Sequence, residues 1–150
     1  MLTKLLPDQI SKFWPIIKYA IEESLPPTTD ERPDKMNRIL SSALSGGIEV
    51  WASYEREEDG AKFEGIIVTK INLDDASGTK SMLMYCLYGY TDVEPEAWKE
   101  GLNILAKYAK ARGCTRITAY TSIPYMINLA KKLGADADYT FISWDIDKIV

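Results

Sequence analysis

The sequence contains no histidine among its 150 residues. This absence excludes the Ser-His-Asp and Cys-His arrangements of nucleophilic catalysis. It also excludes the usual catalytic zinc sites, because the two cysteines cannot supply a full set of ligands. Any acid–base chemistry must therefore use Asp, Glu, Tyr, Lys, Cys or a backbone group, and we predict no metal site.

Long apolar runs and basic runs are also missing. No apolar run approaches the roughly 20 residues that a transmembrane helix requires. The net charge of -4 and the pI of about 4.9 argue against a nucleic-acid partner and against an acidic membrane surface. The N-terminal apolar stretch is too short for a signal peptide, and two cysteines do not make a disulfide framework. These features predict a cytoplasmic protein.

One stretch, from Lys80 to Arg112, organises the chain. Its first ten residues are almost uninterruptedly apolar and aromatic, which is typical of a strand buried on both faces. An acidic segment with Pro95 follows, and proline suits the first position of a helix. The next apolar residues recur at helical spacing, and Gly113 ends the pattern. We therefore predict a central buried strand that leads directly into an amphipathic helix.

The remaining elements follow from the same patterns. We predict one domain over residues 1–150, because this length suits a single core. Helices are predicted from Pro15 to about Ser24, from a cap at Asp30 to Gly46, and over 123–133. Strands are predicted over 48–56, 63–71, 116–121 and 139–146, with a weak one over 1–6. Three consecutive strands joined by short turns indicate an antiparallel meander.

This order of elements resembles that of the GNAT superfamily of acyl-CoA-dependent N-acyltransferases. The segment Leu129-Ala-Lys-Lys-Leu-Gly134 looks like the family's final helix and the turn after it, and residues 81–112 occupy the place of its CoA-binding strand and helix. The resemblance implies an α/β fold with a mixed, mostly antiparallel sheet flanked by helices. Within this superfamily the chain resembles small phage-encoded proteins of this fold.

The resemblance also implies where a cofactor would bind. Acetyl-CoA or another acyl-CoA would lie along the end of the central strand and the start of the next helix. The residues that correspond to this position are Leu87, Gly89, Tyr90, Thr91 and Lys99. A backbone N–H group there would polarise the thioester, and an amine would attack it directly.

The chain departs from the family pattern at the diphosphate loop. The family uses Q/R-x-x-G-x-G/A, in which glycines allow backbone N–H groups to reach the phosphates. Here no glycine follows Gly89 within the loop, and Pro95 has no N–H group. Asp92, Glu94 and Glu96 place negative charge where the diphosphate would lie, which opposes binding. The motif is therefore degenerate.

The final helix departs as well. Family members often carry a tyrosine four residues before the terminal glycine, as general acid for the leaving thiolate, whereas Ala130 stands there in this chain. Tyr120 and Tyr125 lie nearby and are the candidate catalytic residues. The alternative is that these tyrosines, with Tyr88 and Tyr90, fill the core of the sheet, since a tyrosine needs a specific environment to act near neutral pH.

Other candidates also have two interpretations. The acidic residues before the helix either bind a cationic substrate or complement the helix dipole, and we favour the second. Cys86 is either an acyl-accepting nucleophile or a small core residue, and without a histidine we favour the core. Asp74-Asp75 is either half of a metal site or a solvated turn, and we favour the turn. Trp51, Tyr54, Phe141 and Trp144 are candidates for an exposed aromatic edge.

Two hypotheses for function remain. The first is a non-catalytic interaction or structural module that keeps the GNAT fold and has lost the cofactor loop, with a protein partner or a second copy bound to its aromatic surface. A phage-encoded component associated with a virion or with the host would suit this hypothesis. The second is an acyl-CoA-dependent N-acyltransferase that acts on an unknown amine.

Overall fold

The computed structural model describes residues 1–150, which fall into two compact units, Met1–Ala119 and Tyr120–Val150. The first unit contains a five-stranded sheet whose strands lie in chain order. These strands are β1 Leu2–Lys4, β2 Glu49–Glu57, β3 Gly60–Leu73, β4 Lys80–Gly89 and β5 Cys114–Ala119. Strands β1 to β4 pair antiparallel, and β5 pairs parallel to β4. The predicted mixed, mostly antiparallel sheet is confirmed.

Helices cover both faces of this sheet. The first unit has four: α1 Pro7–Lys12, α2 Trp14–Glu22, α3 Lys35–Ser45 and α4 Pro95–Ala111. Residues of α1, α2 and α3 form one buried cluster with one face of the sheet, and α4 forms a second cluster with the other face. Strand β4 contributes Cys86 to the first cluster and Met82 to the second, so its predicted burial on both faces is confirmed.

The helices before β2 begin at different residues from those predicted. Pro15 is the second residue of α2, where its missing N–H group costs no intrahelical bond, and a separate short helix, α1, precedes it. The predicted cap at Asp30 is wrong, because α3 starts only after Asp34. Pro33 accounts for this difference, since a proline disfavours helical geometry in the residue before it. The predicted end at Gly46 is confirmed, with φ at 86°.

The second unit contains one helix, α5 Pro124–Lys132, which ends before Gly134 as predicted. The strand predicted over 139–146 is wrong, because these residues are irregular up to a 3₁₀ turn at Ile146–Lys148. Local aspartate bonds form turns at both ends of this segment: Asp136 accepts the N–H of Asp138 at 2.9 Å, and Asp145 accepts the N–H of Asp147 at 3.0 Å. Such local bonds compete with strand pairing. No helix in the chain has both the length and the apolarity that a membrane crossing demands.

Candidate acyl-transfer site

Strand β4 separates from β5 halfway along its length. The parallel pairing joins Lys80 through Met84 to residues 114–119, and β5 ends there. Residues 85–89 of β4 therefore have a strand partner only on the β3 side. An unpaired strand segment presents a row of free N–H and C=O groups, which we call the open edge of β4.

A β-bulge marks the start of the open edge. Val68 of β3 pairs with Cys86, but the next residue, Thr69, pairs with Met84, so Tyr85 is the extra residue on β4. Tyr85 and Cys86 consequently both contact the cluster beneath α1–α3, although consecutive strand residues normally point to opposite faces. The bulge bends β4 at the point where its pairing with β5 ends.

The hydrogen-bonding alternation of the β3–β4 pair determines which groups face the open edge. The N–H of Tyr90 donates to the carbonyl of Glu64 at 3.0 Å, on the β3 side. Bonded and non-bonded residues alternate in an antiparallel pair, so Tyr88 also faces β3. Leu87 and Gly89 lie between these positions and direct their N–H and C=O groups towards the open edge.

The start of α4 offers few groups to a phosphate. The carbonyl of Glu94 accepts the N–H groups of Ala97 at 3.0 Å and Trp98 at 3.2 Å, and Pro95 has none to donate. Among the first helical residues, this leaves the N–H of Glu96 as a free donor. The carboxylates in this segment are exposed, and so is Lys99 one turn further along the helix.

A cavity of about 100 Å³ lies beneath the N-terminal half of α4 and touches the open edge at Leu87 and Gly89. Its wall is mainly apolar, with Trp98 and Gly101 on the helix side. The polar side chains among its lining residues belong to Ser53, Glu64 and Glu100, and Oε1 of Glu64 accepts the hydroxyl of Ser53 at 3.4 Å. A carboxylate therefore stands beside the backbone groups of β4.

Tyrosine rings cover the opposite face of β4. The Tyr88 ring lies 4.9 Å from the Tyr90 ring and 5.8 Å from the Tyr19 ring of α2, both edge-to-face. The hydroxyl of Tyr90 donates to the carbonyl of Ile16 at 2.9 Å, and burial raises its pKa to about 12. The neighbouring Tyr19 hydroxyl, with smaller contributions from burial and from Glu23, raises the pKa of Tyr88. These phenols are therefore proton donors, and not bases, at neutral pH.

The sequence-predicted site residues have different environments. Leu87 and Gly89 lie together at the open edge, Thr91 lies exposed just after it, and Lys99 lies exposed on α4. The candidate catalytic residues Tyr120 and Tyr125 belong to the unit of residues 120–150 and are both exposed. The ring of Tyr120 lies 5.0 Å from that of Phe141. The roles assigned to these residues stay predictions.

The weaker candidates are explained by their surroundings. Cys86 is buried in the core, and burial raises its pKa to about 12, which suits a packing residue and not a nucleophile. Asp74 caps its own turn: one carboxylate oxygen accepts the N–H and the hydroxyl of Ser77 at 2.9 and 2.7 Å. Trp51 does not lie at an exposed edge: β1 pairs with β2, and the Trp51 ring packs in the α4 cluster, 5.1 Å from the Tyr108 ring, and is 3% exposed. Trp144 is 71% exposed.

Glu64, Ser53 and Tyr19 did not emerge from the sequence as site residues. Glu64 reaches the cavity because a second register shift, between Ser53 and Tyr54 of β2, leaves it as the extra residue on β3. A β-bulge has no reliable signature in a single sequence. Tyr19 lies on an amphipathic helix, and its proximity to Tyr88 follows only from tertiary packing.

No protein-family model matches this sequence, and no curated protein matches it. Solved structures match it over nearly its whole length. A probable acetyltransferase superposes with a TM-score of 0.70 and 13% identity, covering 97% of this chain and 95% of its own. A ribosomal-protein-alanine N-acetyltransferase from Brucella melitensis biovar Abortus 2308 superposes with a TM-score of 0.65 and 16% identity, covering 97% of this chain and 99% of its own. AAC(6')-Iy in complex with a bisubstrate analogue, CoA-S-monomethyl-acetylneamine, superposes with a TM-score of 0.68 and 12% identity, covering 97% of this chain and 96% of its own. The chain has the fold of the GNAT acetyltransferases.

Proposed function

We propose that this protein is an N-acyltransferase that uses an acyl-CoA donor. The open edge of β4 is the observation that carries the proposal. Leu87 and Gly89 direct unpaired backbone groups into the space left by β5, and a bulge fixes where that space begins. The match over 97% of the chain to acetyltransferases, one of them crystallised with a CoA bisubstrate analogue, supports the same conclusion.

The residues fit the pantetheine arm of CoA better than its diphosphate. The arm carries amides, whose donors and acceptors match the alternating N–H and C=O groups of a free strand edge. For the diphosphate the chain offers the dipole of a 17-residue helix, the N–H of Glu96 and the ammonium of Lys99. Asp92 and Glu94 oppose it. We therefore expect the donor to be held mainly through its arm.

An acyl-CoA supplies an acyl group on a good leaving group, so the chain has only to position and polarise it. An N–H at the open edge, from Leu87 or Gly89, donates to the acyl oxygen and stabilises the negative charge that develops there. The attacking amine loses a proton while the new C–N bond forms and the C–S bond breaks. Without histidine, a carboxylate is the available base: Glu64 and Glu100 line the cavity beneath α4, and Glu23 lies near Tyr88 on the opposite face of β4. A tyrosine hydroxyl is the available acid.

The acceptor side favours a cationic amine. The rings of Tyr19 and Tyr88 lie edge-to-face beside Glu23, and π faces next to a carboxylate attract ammonium groups. The exposed carboxylates before α4 add negative charge to the same end of β4. Similar folds include an aminoglycoside acetyltransferase solved in complex with sisomicin. Aminoglycosides are polyamines. Polyamines are therefore the first acceptors to screen.

The backbone donor is tested with a matched pair of variants at Leu87. Leu87→Pro removes the N–H that faces the open edge and leaves the hydrogen bonds to β3 in place. A strand tolerates proline on its unpaired side. Leu87→Ala keeps the N–H and, like the proline variant, removes the leucine side chain. We expect CoA release with a polyamine acceptor to fall about 10²-fold or more in the proline variant and much less in the alanine variant. Equal losses in two folded variants would contradict the assignment.

Charge at the start of α4 is tested by calorimetric titration with acetyl-CoA. Neutralising Asp92, Glu94 and Glu96 to amides should tighten binding about fivefold, because each exposed carboxylate repels the diphosphate by a few tenths of a kcal/mol. Lys99→Glu should weaken it, whereas Lys107→Glu, on the same helix but remote from its start, should not. No binding by any variant would refute the donor site.

The candidate acids are tested separately. Tyr120→Phe and Tyr125→Phe each keep the ring and remove the hydroxyl. If one of them protonates the leaving thiolate, its loss lowers kcat about 10²-fold and leaves KM unchanged. A pH–rate profile without an alkaline limb in the affected variant would support the assignment. Unchanged kcat in both variants would refute it for both residues.

A non-catalytic interaction role is the second candidate, and the exposed apolar side chains near the C-terminus favour it. Ile142, Trp144 and Ile146 are each more than 60% exposed, in a segment that is irregular up to the 3₁₀ turn beginning at Ile146. Such a stretch suits contact with a second copy or with a protein partner. A host- or virion-associated role belongs to this candidate.

The two candidates differ in what sedimentation and turnover would show. An interaction module should sediment as an oligomer that Trp144→Ser returns to a monomer, and it should release no CoA. Tyr139→Ser, in the same exposed segment, is the matched control for loss of aromatic surface. A monomer at high concentration that turns over acetyl-CoA would exclude this second role.

A further inference from the structure

A second cavity lies away from the open edge of β4. It measures about 230 Å³ and lies where the junction of β1 and β2 meets α1 and the C-terminal ends of α3 and α4. Five buried aliphatic residues line it: Leu5, Ile10, Ala43, Ile48 and Val50. It shares no lining residue with the cavity beneath α4. The acyl-transfer proposal gives this space no role.

A buried carboxylate faces this cavity with little protein to satisfy it. Glu49 is only 7% exposed, and its one side-chain partner is the hydroxyl of Thr69, at 3.4 Å. The same hydroxyl oxygen accepts the indole N–H of Trp51 at 3.0 Å. An ionised carboxylate has about four acceptor positions, so most of those on Glu49 remain available. No buried side-chain oxygen in the chain lacks a hydrogen-bond partner, so the rest of this carboxylate is open to the cavity, where a ligand's donor can reach it.

Two cations line the same cavity without pairing with the carboxylate. Lys4 and Arg112 are both exposed, and neither forms an ion pair with Glu49 within 4 Å. Arg112 instead donates to the hydroxyl of Tyr108 at 2.7 Å. The cavity therefore has a buried negative group on its wall and positive groups towards solvent, with apolar walls between them.

These charges select a ligand class. The two cations repel a simple amine, and the buried carboxylate repels a simple acid. A molecule with both an ammonium and a carboxylate group matches both ends. The volume is several times the roughly 30 Å³ of a water molecule and below the 300 Å³ or more of a drug-sized pocket, which suits a ligand of amino-acid size.

We propose that this cavity binds a free α-amino acid with an aliphatic side chain. The ammonium group donates to Glu49, and the carboxylate lies against Lys4 and Arg112. The side chain contacts the aliphatic walls. The site is independent of the acyl-transfer proposal and remains if that proposal fails.

The indole of Trp51 provides a direct readout, because it is linked to Glu49 through Thr69. We would titrate the full chain with L-leucine and follow the four tryptophan indole signals by ¹⁵N NMR, with Trp51→Phe for assignment. We expect a saturable shift confined to the Trp51 signal. 3-Methylbutylamine and 4-methylpentanoate each carry only one charged group and should bind about tenfold more weakly or worse.

Variants complete the test. Glu49→Gln should weaken leucine binding about tenfold or more, because a charge-assisted hydrogen bond becomes a neutral one. Glu55→Gln, exposed on the same strand, should not. Lys4→Gln provides a second measurement if Glu49→Gln does not fold. A cavity that holds only water would show no saturable shift, and 4-methylpentanoate binding as tightly as leucine would exclude a role for Glu49. Either result would overturn the proposal.

Discussion

Replacing Glu49 by glutamine should stabilise this protein at neutral pH. Burial is the largest influence on this carboxyl and raises its pKa above the ordinary value of 4.5. Attraction to Arg112, the hydrogen bond from Thr69 and attraction to Lys4 act in the opposite direction and do not outweigh burial. The folded state therefore disfavours the charged form, and an isosteric amide removes that cost while keeping an acceptor for Thr69.

The size of the effect follows from the burial of Glu49. A buried charged group with incomplete hydrogen bonding costs about 1–3 kcal/mol, and the two nearby cations offset part of this. We expect Glu49→Gln to gain about 1–2 kcal/mol at pH 7.5. For a chain of this length each kcal/mol moves Tm by about 2–4 °C, so the variant should melt about 2–8 °C higher.

The pH dependence gives the sharper test. The pKa of Glu49 is raised in the folded state. The free-energy cost of burying its charge is therefore absent below pH 4.5, where this carboxyl is protonated in both the folded and the unfolded state. The cost grows as the pH rises above 4.5, where the unfolded chain ionises first, and it is complete once the pH exceeds the folded-state pKa. Denaturant unfolding of both proteins should therefore give equal free energies near pH 4 and diverge above it. Glu55→Gln, on the exposed part of β2, should show no such divergence. A variant less stable than the parent at pH 7.5, or a constant difference at all pH values, would refute the reasoning.

Three further predictions concern the core. Thr69→Val removes the acceptor of the buried Trp51 indole and should cost about 1–3 kcal/mol in urea unfolding, with Thr69→Ser retaining most stability. Leu105→Ala, at a position 1% exposed in the α4 cluster, should cost about 2–5 kcal/mol by the same measurement, against under 1 for Leu73→Ala on the surface. Cys86, with a pKa near 12, should resist a thiol reagent at pH 8 until the chain unfolds; rapid labelling of both thiols in the native state would contradict its burial.

The centre of the fold could be predicted because its signals are local and agree. The apolar run of β4, Pro95 at the start of α4 and Gly113 after its end each specify one structure. Leu105 and Ala109 lie on the buried face of α4, as their spacing predicted. Where burial pattern, caps and turn residues agree, tertiary packing has little left to override.

The predictions that failed depend on competing local or tertiary contacts. Alternation over 139–146 indicated a strand, but no strand pairs with these residues, and aspartates bind the N–H groups of Asp138 and Asp147 just outside the two ends of the segment. Trp51 was assigned to a possible edge because three-residue β1 gives almost no sequence signal. In the structure Lys4 pairs with Trp51, so β2 is an interior strand.

The candidate site was only partly predictable for a related reason. Leu87 and Gly89 follow from the resemblance, but the direction of their N–H groups depends on strand register and on the bulge at Tyr85. A shift of one residue would reverse that direction. Glu49 has no distinguishing feature in Ile48-Glu49-Val50-Trp51, since only the fold shows that a charged residue is buried there.

The open edge and the acidic start of α4 give opposite indications, and their costs differ. An unpaired segment in the middle of a sheet invites aggregation and leaves backbone groups unsatisfied, so a protein that used only its outer surface would gain nothing from keeping one. Three exposed carboxylates cost a diphosphate about 1 kcal/mol in total, which lowers affinity without abolishing it. The edge at Leu87 and Gly89 therefore weighs more for acyl transfer than the acidic helix start weighs against it. It follows that removing the nucleotide from the donor should cost this protein less than it costs an enzyme with a glycine-rich phosphate loop.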